Sequence, residues 1–252
     1  MFVHGNPEVA AIWDPLHGAL SSFPTVALSP PGFGAPVPAD FEPTMARYVA
    51  WLIAQLEPLV STAGPVDLVG HDWGSGHVLG AVLDRPDLVN TWAVDVLGLC
   101  HPDYTWHDAA LRWQQPVIGE EMVEAMVSLT VEERIAMFGG LDRSPDVVRA
   151  IAEGIDAAMG RCILGLYRDA VQPAMAVLGQ QLGTSTLPPG LAINATDDAY
   201  VSSELTVSMA EHLGIERLDL DGNGHWWMLE DPDTAASGLT TFWSAHGISP
   251  MT

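Results

Sequence analysis

The sequence predicts an α/β fold with a mostly parallel sheet of about six strands and helices on both faces. Short apolar segments typical of buried strands alternate with segments of helical periodicity over residues 1–102 and again over residues 183–252. Between them, residues 103–182 contain helical patterns and no convincing strand. We therefore predict one core formed by 1–102 and 183–252, with residues 103–182 inserted after the fourth strand as a helical cap.

Strands and helices follow one another regularly along the predicted core. Strands are predicted at 1–3, 25–28, 66–69, 91–97, 191–194 and 216–220. Helices are predicted at 8–20, 43–59, 77–83, 203–213 and 231–246. Because helices separate most of the successive strands, these strands are expected to run parallel.

The composition excludes several classes of protein. The formal net charge is −23 and all nine basic residues are Arg, so we expect no nucleic-acid partner and no binding to anionic membranes. No apolar run approaches the roughly 20 residues of a membrane span, and no signal peptide is recognisable. A cytoplasmic protein is expected. Cys100 and Cys162 are too few for a disulfide framework or a zinc site, so two buried thiols are expected.

One turn in the predicted core carries a chemically distinctive residue. The strand that begins at Val66 runs into Gly70-His71-Asp72-Trp73-Gly74, and a helix follows. This is the layout of a nucleophile elbow, a tight strand-to-helix turn that raises one side chain above the carboxyl edge of a parallel sheet. The raised residue is Asp72, and no Gly-x-Ser-x-Gly occurs in the chain. A structural Gly-Asp turn is the alternative.

A carboxylate nucleophile favours one type of reaction. Attack on a saturated carbon by Ser or Cys would leave an ether or thioether, which water does not readily cleave. Attack by Asp72 leaves an ester, whose carbonyl carbon water can attack. Asp72 therefore suits a saturated carbon that bears a halide or a strained epoxide oxygen.

Three further motifs accompany the elbow and point to a known family. In chain order, the four are His4-Gly5-Asn6-Pro7, Gly70-His71-Asp72-Trp73-Gly74, Asp197-Asp198-Ala199-Tyr200-Val201 and Gly224-His225-Trp226. Together they resemble the α/β-hydrolase fold, in its haloalkane dehalogenase and epoxide hydrolase branch. That family usually has two more strands before the first motif, so a smaller sheet is expected here.

The resemblance implies a role for each motif. Asp72 would attack carbon, and His225 would activate the water that cleaves the ester. Asp198 would orient His225, while the backbone N–H groups of Asn6 and Trp73 would form the oxyanion hole. A helix-capping role for Asp198, with no part in catalysis, is the alternative. None of this chemistry requires a metal or an organic cofactor, and we expect none.

The leaving group distinguishes the two branches of the family. A halide would be held by N–H donors, for which the resemblance implies Asn6 and Trp73. An epoxide oxygen needs a proton, and Leu166-Tyr167-Arg168 resembles the segment in which epoxide hydrolases carry a proton-donating Tyr. A second Tyr of that family has no clear counterpart, since Trp113 lies near its position and Tyr104 is an uncertain substitute. We predict an epoxide hydrolase, with a haloalkane dehalogenase as the alternative.

The predicted cap is rich in Trp and Met, which favours an apolar cleft. Its candidate lining residues are Trp113, Tyr104, Trp106 and Trp226. The expected partners are a small apolar organic substrate and water, and a homodimer remains open. A non-catalytic ligand-binding protein on the same scaffold is a further alternative, although such a protein would have no need of both Asp72 and His225.

Overall fold

A six-stranded sheet forms the centre of the computed structural model, which describes residues 1–138 and 144–250. All its strand pairs are parallel, and the strand order is β2-β1-β3-β4-β5-β6. The strands are β1 Phe2–Val3, β2 Ala27–Leu28, β3 Val66–Gly70, β4 Val89–Val94, β5 Gly190–Ala195 and β6 Glu216–Leu220. The prediction of a parallel sheet of about six strands is confirmed.

Six helices alternate with these strands. They are α1 Asp14–Ala19, α2 Met45–Ala63, α3 Trp73–Asp84, α10 Ser203–Leu213, α11 Trp227–Glu230 and α12 Pro232–Ala245. Within the described residues, six more lie between β4 and β5: α4 Asp108–Trp113, α5 Ile118–Ser128, α6 Val131–Met137, α7 Pro145–Gly154, α8 Ala157–Asp169 and α9 Ala174–Thr184. Short 3-10 helices occupy Ala10–Trp13, Pro86–Leu88 and Leu97–Cys100.

The helices form two groups, as a sheet covered on both faces requires. Helices α1, α11 and α12 pack on one another, and α2, α3, α9 and α10 form a second connected set. Large fully buried side chains, including Phe2, Trp13, Trp92 and Trp227, fill the core. The rings of Trp13 and Trp227 lie 6.0 Å apart and join α11 to the start of the chain.

Helix α2 extends beyond its predicted end at residue 59. The Thr44 side chain caps its first turn by accepting a hydrogen bond from the N–H of Arg47 at 3.3 Å. Pro58 lies inside the helix on its exposed side, where water can solvate the carbonyl that loses its partner. The helix ends only at Gly64, whose φ of 86° is a left-handed conformation that glycine adopts without strain.

Strand β4 is shorter than the predicted 91–97 and ends at Val94. Asp95 follows, and its buried carboxylate turns away from the strand to bind side chains beneath the elbow. Val96 then adopts a φ of 44°, which breaks the extended backbone. The last predicted residue of this strand, Leu97, begins a 3-10 helix that runs to Cys100.

Within the described residues, the segment between β4 and β5 contains helices joined by loops, and no strand. Helices α4, α5 and α8 pack on one another, as do α6 and α7, whereas α9 packs against α3 and α10. Cys100 and Cys162 are both free and buried, as predicted. Within the described residues, no helix is both long and apolar enough to cross a membrane.

Candidate active site

Asp72 occupies a sharp turn between β3 and α3. Its φ of 51° and ψ of −123° are rare for a residue with a side chain. The turn is held from below, because the Asp72 N–H donates to Asp95 Oδ1 at 2.9 Å. A Cβ at Gly74 would overlap the carbonyl oxygen of Val3, so glycine at this position allows α3 to start directly against β1.

The two oxygens of the Asp72 carboxylate have different surroundings. Oδ1 accepts a hydrogen bond from the backbone N–H of Asn6 at 2.8 Å, and the backbone N–H of Trp73 also donates to this carboxylate. A Cβ at Gly5 would overlap Oδ1, so glycine permits this close approach. Oδ2 lies 3.8 Å from His225 Nε2. One oxygen is therefore held by backbone donors, and the other lies nearer the imidazole.

His225 is held in one orientation by Asp198. Its Nδ1 donates to Asp198 Oδ2 at 2.8 Å, which leaves Nε2 on the side of Asp72. The other oxygen of Asp198 accepts from the N–H groups of Tyr200 and Val201 at 2.7 and 3.1 Å. Although burial favours the neutral ring, the Asp198 carboxylate raises the pKa of His225 above its ordinary value. Within the described residues, Asp197 makes no contact with His225.

A buried ionic cluster of Glu8, His71 and Asp95 lies beneath these residues. His71 Nε2 contacts Glu8 Oε1 at 3.0 Å, and His71 Nδ1 forms a short hydrogen bond with Asp95 Oδ2. Burial alone would lower the pKa of His71, but the Asp95 and Glu8 carboxylates raise it well above the ordinary value. Burial would raise the pKa of each carboxyl, but the His71 charge lowers it. The central imidazole is therefore a buried cation.

The buried ionic cluster joins the three loops that meet at Asp72. Glu8 accepts from the backbone N–H of Gly5 at 3.3 Å and from the indole N–H of Trp226 at 2.8 Å. Asp95 accepts from the elbow N–H and also from Ser75 Oγ and Trp227 Nε1. This cluster was not predicted from the sequence. The available signal was an acidic residue inside a strand predicted to be buried.

A metal ion would compete with this cluster. Ligand atoms of Glu8, His71 and His225 all lie within 4.8 Å of one another. Both ring nitrogens of His71 already contact carboxylates, and a protonated imidazole offers no lone pair to a metal. Metal binding here would require His71 to lose its proton and one of these two contacts.

A cavity of about 410 Å³ opens above Asp72. Besides Asp72, its polar lining residues include Asn6, His107, Tyr167, Tyr200 and His225. The rest of its wall is mainly apolar and includes Trp113, Met122, Met126, Leu129, Met137 and Phe138. No Arg lines the cavity within the described residues. The space suits an uncharged molecule with an apolar arm.

Tyr167 places its hydroxyl beside Asp72. Its oxygen accepts from the Asn6 amide at 3.4 Å and also from the indole of Trp73. Burial and the Asp72 charge raise the pKa of Tyr167 well above the ordinary value, so the phenol keeps its proton. Both hydrogen bonds bring a hydrogen to this oxygen, which leaves the phenol's own proton free to be donated.

The structure separates the four residues predicted to form the substrate pocket. Trp113 and Trp226 line the 410 Å³ cavity, whereas Tyr104 and Trp106 border a second cavity of about 10 Å³ beside Asp72. The Tyr104 hydroxyl donates to a backbone carbonyl at 3.4 Å, and the Trp106 indole donates to another at 3.2 Å. The polar groups of Tyr104 and Trp106 therefore hydrogen-bond to the protein backbone.

Two polar residues at the cavity were not predicted. Tyr200 belongs to the Asp-Asp-Ala-Tyr-Val motif, and its ring lies 4.7 Å from that of His225. His107 caps the first turn of α4, and its ring lies 5.0 Å from that of Tyr200. The motif itself was a signal for Tyr200, but nothing in the sequence distinguishes His107 from the chain's other histidines.

The sequence profile of the alpha/beta hydrolase family matches residues 1–237. The chain belongs to the alpha/beta hydrolase family. The hydrolase is 25% identical over 215 residues to (E)-2-((N-methylformamido)methylene)succinate hydrolase of Acinetobacter baylyi. That alignment covers 83% of this chain and 76% of the relative.

Solved structures resemble the hydrolase over nearly its whole length. E-2-(acetamidomethylene)succinate hydrolase has a TM-score of 0.73 at 19% identity, covering 96% of this chain and 90% of the other. Haloalkane dehalogenase DbeA from Bradyrhizobium elkani has a TM-score of 0.68 at 20% identity, covering 97% and 90%. Carboxylesterase CesB from Bacillus subtilis has a TM-score of 0.66 at 19% identity, covering 97% and 82%. These likenesses establish the fold.

The buried ionic cluster should contribute strongly to stability. Asp95→Asn removes one carboxylate from the buried His71 cation and directs an amide N–H at a donor, which should cost about 3–5 kcal/mol of unfolding free energy. Urea unfolding at pH 7 measures this loss. Asp87→Asn is the matched control, because Asp87 makes an exposed pair with Arg85 and should matter little. Equal midpoints for the two variants would contradict the assignment.

Proposed function

We propose that the hydrolase opens epoxides to diols through an ester formed on Asp72. The observation that carries this proposal is the Tyr167 hydroxyl, which is neutral, buried and supplied with two N–H donors beside Asp72. An epoxide oxygen remains attached to the substrate and becomes an alkoxide, so its departure is assisted by a proton donor at this place. A halide needs no proton.

The first step forms the ester. Asp72 Oδ2 attacks one epoxide carbon, the carbon–oxygen bond breaks, and the electron pair stays on the oxygen. Tyr167 gives that oxygen its proton. The resulting phenolate is stabilised by the side-chain N–H groups of Asn6 and Trp73, which already donate to the Tyr167 oxygen.

The second step releases the diol. Esterification removes the negative charge of Asp72, which otherwise raises the pKa of His225, so a larger fraction of the imidazole is neutral at pH 7 and able to accept a proton. His225 takes a proton from the water that attacks Cγ of Asp72. The oxyanion develops on Oδ1 of Asp72, where the backbone N–H groups of Asn6 and Trp73 stabilise it. Collapse expels the diol oxygen, which takes the proton from His225. The Asp72 acid then returns a proton to the Tyr167 phenolate.

The cavity favours uncharged substrates. Two relatives act on succinate derivatives, as their names state. A dicarboxylate in this cavity would approach the Asp72 carboxylate, and no cationic Arg side chain offsets that repulsion within the described lining. We therefore assign the hydrolase an uncharged epoxide with an apolar arm.

Haloalkane dehalogenation is the second candidate, and one observation favours it. The side-chain N–H groups of Asn6 and Trp73 converge on a single point, as a halide site requires. The Tyr167 oxygen occupies that point, so a halide would bind only after the phenol ring moved. A ligand-binding protein without catalysis would have no use for the contacts among Asp72, His225 and Asp198.

A mixed assay tests the reaction type. The protein is incubated with styrene oxide, cyclohexene oxide and bromohexane, and diol and halide are measured separately. Diol without halide is the expected result.

In His225→Gln the ester should accumulate, so intact-mass analysis should show a substrate adduct that Asp72→Asn abolishes. Asp198→Asn should reduce kcat by about 10⁴-fold, as in other triads, whereas its neighbour variant Asp197→Asn should not. Halide without diol would overturn the proposal.

Tyr167→Phe tests the proton donor. Loss of the phenolic proton should slow adduct formation from an epoxide by about 10²-fold or more, since general acid catalysis is typically worth that much. Decay of a preformed ester should change little, because Tyr167 has no part in the attack of water. Single-turnover mass analysis separates the two rates. Unchanged adduct formation, or faster halide release from bromohexane, would favour the dehalogenase.

The reaction should fail in acid as Asp72 becomes protonated. Burial is the main cause that raises the pKa of Asp72 to about 6, and only the ionised carboxylate attacks carbon. Below pH 6, kcat/KM should therefore fall about tenfold per pH unit. Circular dichroism at each pH serves as the control for folding. A flat profile down to pH 4.5 would show that ionisation of Asp72 does not limit the reaction.

A further inference from the structure

His107 has a defined tautomer because it caps helix α4. Its Nδ1 accepts a hydrogen bond from the backbone N–H of Ala110 at 3.3 Å. A ring nitrogen that accepts carries no hydrogen, so the hydrogen of the neutral imidazole is on Nε2. Burial lowers the pKa of His107, and the nearby His225 charge lowers it further. At neutral pH the ring is therefore uncharged, with one N–H on the edge that faces away from the cap.

The His107 ring borders the reacting groups. It lines both the 410 Å³ cavity and the 10 Å³ cavity, and Asp72, Tyr167 and His225 line both as well. Its centroid lies 6.3 Å from that of Tyr167, with the rings edge to face. Within residues 1–138 and 144–250, the His107 ring is hydrogen-bonded at Nδ1 and not at Nε2. An N–H donor is thus left over on a ring that lines both cavities beside Asp72.

Ring opening creates a need for a second donor. The negative charge that develops on the departing oxygen is stabilised by each preorganised donor that points at it, and Tyr167 supplies only one. Tyr104 cannot supply the other, because its hydroxyl already donates to the carbonyl of Tyr200 and lies behind the main cavity.

We propose that the Nε2–H of His107 is the second hydrogen-bond donor to the departing oxygen, opposite the Tyr167 hydroxyl. This role rests on the proposed epoxide hydrolysis. A neutral imidazole donates a hydrogen bond but does not release its proton, so Tyr167 remains the source of the proton. The substrate class that uses both donors is an epoxide, whose oxygen can accept two hydrogen bonds while one carbon is attacked.

Two substitutions at one position separate the donor from the helix cap. In His107→Asn the short side chain can still accept from the Ala110 N–H, as Asn is a preferred capping residue, but its amide does not reach the place of Nε2. In His107→Gln the longer amide places an N–H near that of Nε2, while the cap is lost. If His107 acts only as a helix cap, His107→Gln should impair the protein more. If it acts as a hydrogen-bond donor, His107→Asn should slow the reaction more.

Adduct formation on Asp72 isolates the step in question. The parent is full-length His225→Gln, in which the ester accumulates, and the probe is whichever of styrene oxide or cyclohexene oxide forms the adduct faster. Adding His107→Asn should slow adduct formation by roughly 10²-fold with an unchanged Tm. Adding His107→Gln should keep the rate within about fivefold of the parent while lowering Tm by about 3 °C.

The outcomes distinguish the two proposals. Equal adduct rates in the parent and in His107→Asn would overturn the role of His107 and leave epoxide hydrolysis standing. So would a slower rate in Gln than in Asn, which would identify a purely structural cap. A larger loss from Tyr200→Phe than from His107→Asn would assign the second donor to Tyr200. No adduct in the parent with either epoxide would overturn epoxide hydrolysis itself, and the role of His107 with it.

Discussion

The positive charge of His71 is the interaction on which the rest of the site depends. Two carboxylates, from Glu8 and Asp95, lie buried around it, and without a cation between them they would repel each other in a medium of low polarity. Each carboxylate also holds backbone or indole N–H groups of the surrounding loops. The loop after β1, the elbow and the loop before α11 are therefore tied together at one buried ion.

The same charges set the reactivity of Asp72. Burial raises the pKa of Asp72, the negative charge of Glu8 raises it further, and the charges of His225 and His71 oppose this. The balance leaves a carboxylate that is ionised at neutral pH and largely shielded from bulk water. In the proposed reaction, such an anion would lose less hydration on attacking carbon than a fully hydrated carboxylate would.

Local patterns were sufficient to predict the strands, the elbow and the order of the motifs, because each depends on residues that are neighbours in sequence. The buried ionic cluster could not be predicted in this way, since Glu8 and His71 are 63 positions apart and meet only when β1 and β3 pair. His107 was missed for a related reason. Its tautomer follows from a helix cap, and its position beside Asp72 follows from how α4 packs on α5 and α8.

The two cavities beside Asp72 differ greatly in size, at about 410 Å³ and about 10 Å³. The smaller is no larger than a single water molecule, and the rings of Trp73 and Trp106 stack 5.9 Å apart at its wall. In the proposed reaction, a carbon attacked by Asp72 would therefore meet unequal space on its two sides. Two mirror-image substrates would place their larger group toward cavities of unequal size, and the one that directs it toward the stacked indoles would bind less readily.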